Sequence, residues 1–79
     1  MKMFPHYAHI VREMGEIEGV INVRGDLQFR IITYIAEGDE EARRRVYEKE
    51  EAFYRTYPNS PVYFVTNYVA KNPNAKARS

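Results

Sequence analysis

Seventy-nine residues make one domain, and a chain this short buries only roughly 60–65% of the surface its unfolded form exposes. It contains no cysteine, which excludes disulfide staples, thiolate nucleophiles and cysteine-built zinc sites. A net charge of +1 supplies no general attraction to nucleic acid or anionic lipid, and no apolar run reaches the roughly 18 residues that a membrane span needs. The opening Met1-Lys2-Met3-Phe4-Pro5 lacks the apolar centre of a signal peptide. A reducing, cytoplasmic setting is the expectation.

The first predicted element is a short helix from Pro5 to Met14. Pro5 suits a first helical position and Gly15 suits the position just past the end. Tyr7, Ile10, Val11 and Met14 recur at the spacing of one helix face. His6, His9 and Glu13 share the other face and are the only candidate metal donors. Their spacing matches no established motif and a further ligand would have to come from elsewhere, so a solvated polar face is expected and no metal or cofactor is assigned.

Ile17 to Ala36 reads as a hairpin. Odd positions carry Ile17, Ile21, Val23, Leu27, Phe29, Ile31 and Ile35. A three-residue loop, Arg24-Gly25-Asp26, pairs Val23 with Leu27 and Ile21 with Phe29 and keeps this apolar set on one face. Arg-Gly-Asp is thus read as a turn and not as an adhesion signal. The other face is polar near the turn and apolar at its far end, where something has to cover it.

Glu37-Gly38 leads into the principal helix, Asp39 to Tyr57, which Pro58 stops. Asp39 is placed to cap the first turn, and Glu40 and Glu41 sit at the positive end of the helix dipole. Ala42, Val46, Phe53 and Tyr57 form one stripe at roughly 100° per residue. The opposite side is charged, with acid-first pairs Glu40–Arg44, Glu41–Arg45 and Glu51–Arg55 worth about 0.2–0.5 kcal/mol each. Arg43-Arg44-Arg45 is therefore expected to be a self-paired, solvated surface. Tyr47 and Tyr54 lie beside the core stripe. Pro58-Asn59-Ser60-Pro61 turns the chain into a last strand, Val62 to Ala70, apolar on both sides and so expected to be covered on both. Residues 71–79 form a basic tail with nothing to bury, so the domain is taken as residues 1–70.

The order α-β-β-α-β makes a two-layer α+β domain with a three-stranded sheet. It resembles a ferredoxin-like fold whose first strand is missing or reduced to Lys2-Met3-Phe4. A crossover leaving room for one strand gives strand order 2-1-3; order 1-2-3 would instead centre the most apolar strand.

No catalytic residue emerges. Both aspartates have structural roles, the glycines are isolated, and no histidine has a visible orienting partner. A nucleic-acid surface would need cations and aromatics interleaved on an open sheet face, and Arg30, Tyr34 and Lys71 are the candidates. The preferred expectation is a non-enzymatic interaction module. It is a homodimer that binds another protein in a regulatory or antitoxin-like role, with Tyr47, Tyr54, Tyr63, Val65 and Val69 at the interface.

Overall fold

The seventeen-residue helix between the second and third strands carries the core. The computed structural model describes residues 7–70, in the order α1 (Tyr7–Gly15), β1 (Val20–Gly25), β2 (Arg30–Ala36), α2 (Glu40–Thr56) and β3 (Tyr63–Val69). Asp39 caps α2 by accepting the Ala42 N–H at 3.1 Å, and Tyr57 closes it with an N–H to the Phe53 carbonyl at 2.8 Å. Ala42, Val46 and Phe53 are buried against Ile31 and Ile35 of β2 and against Tyr7, Ile10 and Met14 of α1. Both helices thus lie on one face of the sheet, and α1 does not reach round to the other. The arginine run is paired within its own helix. Arg43 takes Glu40 at 2.8 Å, where Arg44 had been expected, and Arg44 takes Glu41 and Glu48 at 2.8 and 2.9 Å. The expected Glu41–Arg45 and Glu51–Arg55 pairs stand at 3.5 and 3.9 Å.

The sheet order is β1-β2-β3, the second of the two expected arrangements, so 2-1-3 is corrected in favour of 1-2-3. β1 and β2 are antiparallel, whereas β2 and β3 are parallel direct neighbours, with Ile31 opposite Phe64, Thr33 opposite Thr66 and Ile35 opposite Tyr68. The physical reason is burial. Ile31, Thr33 and Ile35 are completely buried, and only a central strand under both helices gives them that cover. With no strand between β2 and β3, the ferredoxin-like resemblance is not confirmed. The expected Lys2-Met3-Phe4 strand and the 71–79 tail lie outside the described residues.

The hairpin loop keeps its expected length of three but moves along the chain. Gly25 opposes Ile31, the Asp26 N–H donates to the Arg30 carbonyl at 3.1 Å, and the loop is Leu27-Gln28-Phe29. Asp26 decides this. One carboxylate oxygen accepts the Gln28 and Arg30 amides at 2.9 and 3.0 Å, and the other accepts Arg30 Nε at 2.7 Å. Phe29 takes the left-handed position (φ 62°) where glycine is usual, and its ring is held edge-on to Tyr7 with centroids 5.7 Å apart. Leu27 is left 97% exposed at the tip.

A second irregularity breaks the odd-position pattern. Val20 opposes Ile35 but Asn22 opposes Tyr34, so Ile21 is an inserted bulge residue and turns outward. The segment entering β1 passes close to α2. A Cβ on Gly19 would stand 2.7 Å from the Ala42 Cβ, and Gly19 has φ +97°.

Candidate interaction surface

β3 is an edge strand, and its backbone geometry follows from its two ends. The Tyr63 N–H donates to the Phe29 carbonyl at 2.9 Å, and the Val69 carbonyl accepts the Glu37 N–H at 2.8 Å. Residues 63, 65, 67 and 69 therefore turn their backbone groups toward β2. By alternation Phe64, Thr66 and Tyr68 turn theirs outward. Among the described residues no strand pairs with that edge. The seven residues Tyr63–Val69 carry no charge and no proline, the devices that ordinarily blunt an edge. The opposite edge of the sheet, β1, has both a bulge and Arg24.

Aromatic side chains border the β3 edge. Tyr54 of α2 meets Phe64 edge-on at 5.4 Å, and Phe53 meets the same ring at 5.5 Å, which sets this flank of α2 over β3. Further along the flank, Arg43 is held charged chiefly by its hydrogen bond to Glu40, and it lies within electrostatic reach of Tyr68. Tyr47 donates its O–H to Glu51 at 2.8 Å, and that bond holds its proton on. Tyr47, Tyr54, Tyr63 and Tyr68 are 58%, 42%, 60% and 54% exposed, which puts most of the large exposed hydrophobic side chains around this one strand.

The expected interface residues divide between two layers. Tyr47 and Tyr54 approach the edge from α2, whereas Tyr63, Val65 and Val69 lie on the sheet face away from the helices. That open face runs in rows: Arg24, Ile32 and Val65; Asn22, Tyr34 and Asn67; Arg30 with Tyr63; Ala36 with Val69. Arg30 and Tyr34 share it, but the Arg30 guanidinium is bonded to Asp26. Lys71 lies outside the described residues.

A groove of about 270 Å³ runs between α1 and α2, floored by Ile10, Met14 and Phe53 and rimmed by His9, Glu13 and Lys49. Glu13 receives His9 Nε2 at 2.7 Å and Lys49 Nζ at 3.3 Å. Burial pushes its carboxyl up, but the Lys49 hydrogen bond and charge, with His9, hold it below the usual range. Arg12 approaches His9 Nδ1 at 3.2 Å, so both imidazole nitrogens have polar neighbours. His9 and Glu13 are thus brought together by a hydrogen bond, while His6 lies outside the described residues. Among the described residues no group of three or more histidines, cysteines or carboxylates could hold a metal ion. No helix among them is long and apolar enough to cross a membrane.

Two buried polar atoms were not anticipated. Thr33 Oγ1 and Glu50 Oε2 have no hydrogen-bond partner, and burial raises the Glu50 carboxyl to about 7. For Glu50 the signal was present: three and four residues away stand Val46, Tyr47, Phe53 and Tyr54, none of them a cation. The outward backbone of Phe64, Thr66 and Tyr68 had no such signal, because it depends on which strand β3 pairs with. Compared with protein-family models, curated proteins and solved structures, the chain matches none.

Proposed function

We propose that this chain is a small, non-enzymatic interaction module of the cytoplasm that works by adding a polypeptide strand to its β3 edge. The observation that carries this reading is the edge itself: seven uncharged residues whose outward amides and carbonyls at Phe64, Thr66 and Tyr68 have no strand beside them among the described residues. Main-chain hydrogen bonds supply affinity in this recognition mode, and alternate side chains supply specificity. The bordering tyrosines give apolar contact area with polar rims, as protein interfaces favour. A homodimer and a regulatory complex with another protein both fall within it.

The test is Thr66→Pro. The Thr66 amide points away from β2, so proline there spares the β2–β3 ladder and blocks the edge. The variant is expected to keep its circular dichroism spectrum and to lose association, read as solution mass and as retention of protein partners. Association undiminished in a folded Thr66→Pro variant would overturn the reading.

A second reading has one specific observation behind it. Arg24, Ile32, Tyr34 and Tyr63 share the open sheet face, the kind of surface on which bases stack. Binding of mixed single-stranded RNA that weakens steeply with salt supports it, and no binding at low salt removes it.

A further inference from the structure

We infer that the strand added at the β3 edge is β3 of a second copy, paired antiparallel about a two-fold axis through Thr66. This rests on the strand-addition reading and names its occupant. The two-fold sits perpendicular to the sheet, so both helical layers remain on one side and the pair closes on itself; an in-sheet parallel repeat would propagate without end.

The register follows from the outward groups. Phe64, Thr66 and Tyr68 are the residues of β3 whose N–H and C=O face the edge, and Thr66 is the middle one. With Thr66 opposite its own copy, Phe64 opposes Tyr68, and every outward donor and acceptor finds a partner. A slip of one pairing step leaves either Phe64 or Tyr68 unused. The side chains agree with this centre. Phe64 and Tyr68 form cross-strand aromatic pairs on the helical side, and Tyr63 meets Val69 on the open side. No charge in the strand opposes its like, which is what allows the edge to accept an identical strand. Tyr47 and Tyr54, on the flank of α2 that overhangs β3, then face the corresponding flank of the second copy.

The chain has no cysteine, so single cysteines report the register directly. Residues opposite one another across an antiparallel pair lie about 4.5–5.5 Å apart at Cα, within the disulfide range. Tyr63 and its own copy lie about 20 Å apart at roughly 3.4 Å per residue. Three oxidation experiments are therefore run on full-length protein, beside light scattering of the unmodified chain at low micromolar concentration. Thr66→Cys alone is expected to cross-link, Tyr63→Cys or Val69→Cys alone is not, and an equal mixture of those two gives at least tenfold more linked dimer than either. A dimer by mass in which the mixture fails to link, or in which Tyr63→Cys links alone, overturns this register while strand addition stands. A monomer at all concentrations overturns self-pairing, including the case where a terminal segment of the same chain fills the edge. The Thr66→Pro comparison against other proteins then judges the broader reading separately.

Discussion

The ring of Tyr7 rests on the backbone of Gly25: a Cβ built on that glycine would stand 2.7 Å from Cζ and 2.8 Å from Cε2 of the tyrosine. The Tyr7 hydroxyl donates to the Asp26 carbonyl at 2.9 Å, with the Arg30 carbonyl at 3.2 Å as a second acceptor. One side chain of α1 thus clamps both strands of the hairpin where they meet the turn.

Gly25→Ala is expected to destabilise by about 1–3 kcal/mol through overpacking. Tyr7→Phe costs about 0.5–1.5 kcal/mol, since each carbonyl keeps a backbone donor and only the phenol bond is lost. The double variant loses less than the sum, because removing the hydroxyl relieves part of the clash. Thermal melts of the single and double variants check all three, at roughly 4–8 °C per kcal/mol for a domain of this size.

Thr33→Val should stabilise. The threonine is completely buried in the central strand and its hydroxyl has no partner, a situation that costs about 1–3 kcal/mol. Valine keeps the shape and removes the polar atom, so a gain of about 1 kcal/mol is expected from denaturant titration. A loss of stability would mean that the hydroxyl is bonded in solution.

Glu50 sets a pH dependence across the acid-to-neutral range of the stability profile. Burial lifts its folded-state value to about 7, above the roughly 4.3 of an unfolded chain. The folded protein therefore holds this proton more tightly than the unfolded one. The stability it confers is full below the unfolded value, falls as pH rises through the interval up to about 7, and then levels off. Glu50→Gln removes this fall, so the variant melts higher than the parent at pH 8 and the gap narrows toward pH 4. Glu13, Asp26 and Glu41, whose values are lowered by cationic or amide partners, act in the opposite sense and weaken the fold as acid protonates them. An unchanged gap between pH 4 and pH 8 would exclude the Glu50 effect.

The hairpin turn offers a contrast between a residue that organises and one that only occupies. Asp26→Ala removes the three carboxylate bonds that hold the turn and lowers the melting temperature. Leu27→Ser, at the exposed tip, stays within about 0.5 kcal/mol. Parallel melts decide between them, and an equal effect would remove Asp26 from its place as organiser.

These residues also show where the sequence could be read and where it could not. The α2 helix was legible to within one residue at each end, because a capping aspartate, a 3.6-residue stripe and a stopping proline are local signals that agree. The hairpin was legible in existence and loop length. Its position was not, because alternation of apolar residues could not reveal that Ile21 is a bulge, nor that Asp26 has a better bonding geometry as the first residue of a turn than inside it. Leu27 and Ile21 belong to the apolar alternation by their chemistry and are exposed because of those two backbone events. Strand order was half legible: the apolar run of β2 pointed to the centre of the sheet, the crossover argument pointed to 2-1-3, and the cover that Ile31, Thr33 and Ile35 obtain decides for the first. The flanking tyrosines were singled out correctly as lying beside the core stripe. Their relation to the β3 edge became visible only once β3 had a partner strand.

The parallel pairing of β2 with β3 has a consequence in time. Gly25 and Ile31 pair across six positions (31 − 25), but Arg30 and Tyr63 pair across thirty-three (63 − 30), with α2 between them. The hairpin and α1 can close while the ribosome is still supplying the end of the chain, and β3 docks last. Until it does, the inner side of β2 is bare, and the β3 of a neighbouring nascent chain fits there as well as its own. Refolding yield should accordingly fall as protein concentration rises, with strand-exchanged dimers as the by-product, and the brief Pro58–Pro61 connection is where such a chain would open out.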